Sequence, residues 1–125
     1  MTTQEVVLTT RQVADRFNEL TQTGQWNDIL DELYAVNAIS IEPISSGVFK
    51  NAEGLDAIKE KGKQFGEILE EMHGGYSEPP VVGGNHFALA MGMDVTMKGQ
   101  DRTQMHEIAV YEVKEGKIVK EQFFY

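Results

Sequence analysis

The sequence predicts an α+β fold, three N-terminal helices covering one face of a curved antiparallel sheet. Three observations carry that expectation. Apolar residues recur every three or four positions through the first half of the chain. From Phe87 onward they alternate. Glycine-containing turns divide the second half into long strands.

The first helix follows from Val6, Thr10, Val13, Phe17 and Leu20, which fall on one helical face, and Gly24 can end it in a left-handed conformation. Trp26, Ile29, Leu30, Leu33 and Tyr34 repeat the pattern as a shorter second helix. Ala38-Ile39-Ser40-Ile41-Glu42 then alternates and stops at Pro43, which predicts a short strand, with a loop at Ser45, Ser46 and Gly47. Asn51 is a candidate N-cap for a third helix whose stripe is Leu55, Ile58, Gly62, Phe65, Leu69 and Met72, stopped by His73-Gly74-Gly75. Gly62 and Gly66 lie on one face, so either another element approaches closely there or the glycines are merely tolerated.

Pro79-Pro80 confines the stretch from Tyr76 to Val82 to an edge strand or loop. In the next strand Phe87, Leu89, Met91, Met93, Val95 and Met97 share one parity. His86, Ala88, Ala90, Gly92, Asp94 and Thr96 fill the other, so one face is large and apolar. Lys98–Asp101 turns the chain into a strand over about Thr103–Val113. Glu115-Gly116 turns it again, and Ile118–Tyr125 is the last strand.

The chain has 125 residues, read as one domain over 1–125, long enough to bury about two-thirds of its surface. Zero cysteine excludes disulfides, a thiol nucleophile and thiolate metal sites. Twenty Asp and Glu against eleven Lys and Arg argue against nucleic acid and anionic membranes as partners. Met1–Thr10 lacks a basic region followed by an apolar one, and no apolar run reaches the length of a membrane span, so a soluble cytoplasmic protein is expected. His73, His86 and His106 lack metal-site spacing, so neither a metal nor another cofactor is expected.

Several words of the sequence, in this order, resemble the NTF2-like superfamily and its SnoaL-like group, related to polyketide cyclases and ketosteroid isomerases. Gly24-Gln25-Trp26-Asn27-Asp28-Ile29-Leu30 is similar to the turn between that group's first two helices. Ile39-Ser40-Ile41-Glu42-Pro43 is similar to its first strand, and Gly54-Leu55-Asp56-Ala57-Ile58 to its third helix start. Val110–Val119 is similar to its final hairpin. The resemblance implies a cone with a pocket between the concave sheet and the helices. It fixes no reaction, because the superfamily holds enzymes and non-catalytic binding proteins alike.

Within that resemblance Glu42 matches the general base of ketosteroid isomerase, a carboxylate whose pKa an apolar pocket would raise. The isomerase's oxyanion donors, a tyrosine and a protonated aspartic acid, match Phe17 and Ala109, which have no hydrogen to donate. The cyclases carry an acid near the Ala109 position, so that likeness weakens too. Glu107, Tyr111 and His106 are the remaining candidates for acid or donor. Two registers are open: a two-residue turn at Gly99-Gln100 would put His106, Ile108 and Val110 inside. A longer loop puts Met105, Glu107, Ala109, Tyr111 and Val113 inside, with Val119, Glu121, Phe123 and Tyr125 on the next strand, and the resemblance favours this second register.

Phe17, Trp26, Tyr34, Phe65, Phe87, Met91, Met93, Ala109, Glu121, Phe123 and Tyr125 are the expected pocket residues beside Glu42, Glu107 and Tyr111. The favoured register leaves Ile108, Val110, Ile118 and Phe124 outward, an apolar face that fits a homodimer. Two functions follow as expectations. One is a small, largely apolar ligand in the cone with isomerase-, cyclase- or dehydratase-type proton chemistry. The other is a non-catalytic binding or dimerisation module. Whether the chain is an enzyme is open at this point.

Overall fold

A computed structural model describes residues 6–44, 46 and 49–125. Ser45 and Gly47 of the expected loop lie outside the described residues, as does Met1–Glu5. Three helices, α1 (Thr10–Gln22), α2 (Trp26–Leu33) and α3 (Leu55–Ile68), pack against one curved, unclosed sheet. Its strands are β1 (Tyr34–Ile41), β2 (Ala52–Glu53), β3 (Leu69–Ser77), β4 (Val81–Gly83), β5 (His86–Met97), β6 (Thr103–Lys114) and β7 (Lys117–Phe124). The sheet order is β2-β1-β7-β6-β5-β3, with β4 added beside β5. Every pairing is antiparallel except β1 with β7, which is parallel, so the sheet is mixed rather than wholly antiparallel.

Helix α1 starts at Thr10, later than the Val6 periodicity implies. Thr9 is the reason: its side chain accepts from the Gln12 amide at 3.1 Å while its own amide donates to Gln12 Oε1 at 2.9 Å, a complete capping box. Val6 is left exposed ahead of the helix. Gly24 takes φ 72°, as the end of α1 requires.

Two boundaries differ from the sequence reading. Strand β1 begins at Tyr34, directly after α2, four residues earlier than expected, and ends at Ile41. The third helix stops at Ile68, and the residues from Leu69 to Ser77 form β3, antiparallel to β5. Leu69 and Met72 fit a helical stripe, but the long apolar strand β5 offers them a partner edge. His73 therefore sits within a strand, its Nε2 2.7 Å from Thr96 Oγ1, and does not stop a helix. Asn51 does not cap α3 either: Gly54 holds that place, and Asn51 Oδ1 accepts from the Glu42 amide at 2.7 Å. A Cβ at Gly62 or Gly66 would meet nothing within 4 Å, so no element approaches them closely.

The connection Lys98–Arg102 is the longer loop, and β6 faces its odd positions inward, with Phe87 opposite Tyr111, Leu89 opposite Ala109 and Met91 opposite Glu107. Glu115 and Gly116, both at positive φ, make a two-residue hairpin turn. Ile118 does not face outward as its alternation predicts. The pairing of β6 with β7 shifts between Glu112/Lys120 and Val113/Ile118, which inserts an extra residue at Val119. The bulge turns Ile118 into the core, where it is fully buried, although Ile108 and Phe124 face out as expected.

The core lies between α1, α2 and the concave face. Phe17 is its centre, with ring centroids 5.4 Å from Phe87 and 4.7 Å from Tyr111, while Phe87 and Tyr111 stack at 4.8 Å. On the outer face Gly92 is required by close packing. A Cβ there would lie 2.5 Å from Tyr76 Cε1 and 2.7 Å from the Met105 carbonyl oxygen. Gly92→Ala should therefore cost about 1–3 kcal/mol, read as a lower melting temperature, because the Met105 backbone cannot step aside. Gly74→Ala, with open space around its Cβ, should stay close to wild type; equal melting of the two variants would contradict this packing.

Candidate functional site

The helices do not fill the cone. A cavity of about 770 Å³ remains between α2, α3 and the concave sheet. Phe17, Trp26, Tyr34 and Phe65 line it from the helices and the start of β1, and Met91, Met93 and Phe123 from the sheet. Phe87 and Ala109 sit behind this wall rather than on it, buried in the core stack. Tyr125 lies at the rim, where its hydroxyl donates to Glu42 Oε2 and contacts Ser46 Oγ, both at 2.9 Å.

Three carboxyls reach this space from three strands or their ends: Glu42 just after β1, Glu107 on β6 and Glu121 on β7. Parallel pairing sets Glu121 beside Ser40. Ser40 donates to Glu121 Oε2 at 2.6 Å, and the Tyr34 hydroxyl donates to Glu121 Oε1. Burial pushes the Glu121 carboxyl up from its ordinary value, and these two donors together with the charge of Lys61 oppose the rise. Burial, reinforced by the charge of Glu121, also lifts the Tyr34 phenol well above its usual range.

Lys61 is the residue that the sequence reading missed. It stands on α3 with its side chain largely buried, Nζ 2.5 Å from Glu42 Oε1 and donating to Ser40 Oγ at 2.7 Å. The signal was present, since Lys61 follows Ile58 by three and precedes Phe65 by four, on the stripe that faces the sheet. Glu42 thus has an ion-pair partner, where the sequence placed it against apolar surface alone.

Glu107 is different. Among the described residues no group hydrogen-bonds its carboxyl, which is half-buried opposite Met91. Burial pushes it up to about 7, helped by the nearby charges of Glu42 and Glu121 and opposed by Lys61. Tyr111 is 2 % exposed, and no hydrogen bond engages its hydroxyl among the described residues. No fully shielded side-chain oxygen there is left unpartnered, so this hydroxyl opens on the cavity. Burial, then the charges of Glu121 and Glu107, raise its pKa well above 10 and keep it a donor. The arrangement therefore offers a carboxyl of raised pKa and a neutral donor on the sheet side of the cavity, and an ammonium on the α3 side. His106 points away from it, Nδ1 2.9 Å from the Tyr76 hydroxyl on the outer face. Among the described residues no three side chains cluster as metal ligands, and no helix is long and apolar enough to cross a membrane.

Three helices on a curved, open sheet with a cavity between them define an NTF2-like, cystatin-like cone. A family model for the SnoaL-like domain matches residues 8–125, and the chain belongs to that family. It is similar to a Mesorhizobium loti protein provisionally described as a SnoaL-like polyketide cyclase [carbohydrate phosphatase]. The two are 34% identical over 94% of this chain and 100% of that chain, with a TM-score of 0.87. An NTF2-like protein from Burkholderia thailandensis shares the fold at 14% identity, covering 94% and 90% of the two chains with a TM-score of 0.78. A Catenulispora acidiphila protein with a ketosteroid isomerase-like fold, in complex with trimethylamine, does so at 14% identity over 79% and 73%, TM-score 0.65. No curated protein matches the chain by sequence.

The electrostatics make a signed prediction. A carboxyl with a raised folded-state pKa holds its proton more tightly when folded than when unfolded. Its stabilising contribution is full below its ordinary value of 4.5 and is lost as the pH climbs through about 7. Glu107→Gln removes that loss. Its melting temperature should exceed wild type at about pH 8, with the gap closing toward about pH 5. A gap independent of pH would contradict the placement of Glu107.

Proposed function

We propose that the cone binds a small, largely apolar ligand and that Glu107 exchanges a proton with it. The observation that carries this reading is the Glu107 carboxyl, which no group hydrogen-bonds among the described residues, on a cavity that Met91, Met93 and Phe123 also line. Such a group changes protonation near neutral pH, where a general base or acid works best. Tyr111 supplies a hydrogen bond to an oxygen of the same ligand, and Glu42, tied to Lys61, holds the ammonium in place. The reaction class is proton transfer next to a carbonyl, the step that isomerases, cyclases and some dehydratases share.

Hydrogen–deuterium exchange tests this directly. Small cyclic ketones are incubated with the protein in deuterated water and followed by NMR, with binding measured in parallel. Wild type should accelerate exchange beside the carbonyl, and Glu107→Gln should slow it by about 100-fold or more while changing affinity little. Binding without accelerated exchange would favour the second reading, a non-catalytic pocket protein, which the absence of side-chain donors at Phe17 and Ala109 supports.

The outer sheet face supports a further part of the proposal, a homodimer. Ile108 and Phe124 pair across β6 and β7, each close to half exposed, beside Ala90 and Val110. That apolar patch fits a second copy of itself. Light scattering should show a dimer that Ile108→Lys converts to monomer; a monomeric wild type would contradict it.

A further inference from the structure

We propose that Lys61 is a catalytic residue of this site, the group that holds the oxygen of an enolised carbonyl ligand. This rests on the proton-transfer reading above and names what its transition state needs. Loss of a proton beside a carbonyl places negative charge on the carbonyl oxygen, and stabilising that charge is commonly the largest catalytic contribution. Phe17 and Ala109 have no side-chain hydrogen to give. Tyr111 supplies one neutral hydrogen bond, and a positive charge to balance the oxygen comes from another element of the fold.

Lys61 meets that need. An ammonium has three donors. One is directed to Glu42 Oε1 at 2.5 Å and one to Ser40 Oγ at 2.7 Å. These two contacts fix the otherwise flexible lysine head and leave a third N–H beside the cavity that Lys61 lines. The head lies 5.4 Å from the Phe123 ring centroid, so that wall is apolar. Gly62, next in the chain, also lines the cavity, and nothing lies within 4 Å of where its Cβ would be. The space in front of α3 is thus open to a ligand. Lys61 is also close enough to Glu107 for its charge to lower that carboxyl's pKa, so base and ammonium act on one ligand.

The step balances without a co-reactant. The Glu107 carboxylate takes the proton from the carbon beside the carbonyl. The C–H electron pair becomes a carbon–carbon double bond, and the carbonyl π pair moves to oxygen, which Lys61 holds as the enolate. When the carbonyl re-forms, the proton returns from Glu107 to the same or a conjugated carbon. The product is an isomer, or the starting compound with its hydrogen exchanged.

The probe is 4-nitro-1-naphthol, an enolate mimic that is coloured when ionised, compared with 1-nitronaphthalene, which has the same body and no oxygen to ionise. Both are titrated at about pH 6, where Glu107 keeps its proton. Wild type should bind the naphthol as its anion, seen as a rise in the absorption of the ionised form. Lys61→Met should weaken that binding roughly 10- to 100-fold and return the bound probe to its neutral spectrum. Nitronaphthalene affinity should change less than about twofold. Because Lys61→Met leaves Glu42 without its partner, the double variant Glu42→Gln/Lys61→Met is measured alongside and should give the same result. If nitronaphthalene binds but the naphthol stays neutral in wild type, or keeps its affinity in both variants, the role of Lys61 is overturned and the pocket stands. If neither probe binds, the pocket reading fails and this inference with it.

Discussion

The floor of the cone depends on one constraint, the burial of the Glu121 carboxylate. A buried acid without donors is costly, so its two oxygens dictate what surrounds it. Tyr34, at the start of β1, and Ser40, farther along the same strand, supply the donors across the parallel pairing with β7. Ser40 also accepts from Lys61, and Lys61 pairs with Glu42. Five polar side chains thereby tie the first strand, the last strand and the third helix together under the cavity. This network engages the Lys61 ammonium, and among the described residues no group hydrogen-bonds the carboxyl of Glu107.

The apolar half of the site has a different origin. Phe17, Phe87 and Tyr111 form a packed stack in the core, and the stack holds the Tyr111 ring so that its hydroxyl meets the cavity. Packing thus orients a donor, and burial, together with the charges of Glu42, Glu121 and Lys61, sets the proton affinity of a neighbouring acid. The two effects act on the same ligand space without sharing a residue. Binding and proton transfer can therefore be separated by mutation, which is what makes the catalytic and non-catalytic readings distinguishable.

Much of the fold was legible because its signals were redundant. Strand β5 has six large residues on one parity and small or polar ones on the other, so its inward face could be read without a partner. The final hairpin was readable from Glu115-Gly116. The α3–β3 boundary was not, because Leu69 and Met72 satisfy helical spacing as well as strand pairing, and only the edge of β5 decides between them. Ile118 was misread because a bulge at Val119 resets the alternation, and a bulge leaves no mark in an alternating pattern. At the site, Glu107 followed from strand parity once the loop length was right. Lys61 did not, since a lysine on a helix is ordinarily solvated, and its burial is a consequence of carboxylates contributed by distant strands.

Proton transfer at this site depends on Glu107 being a carboxyl that changes protonation near neutrality. Carbon-13 NMR titration of glutamate side-chain carboxyls, with Glu107 assigned by its loss in Glu107→Gln, measures this without a substrate. The predicted midpoint for Glu107 is about 7. A midpoint at the ordinary glutamate value of 4.5 would contradict the account, because the group would then be an ordinary solvated carboxylate.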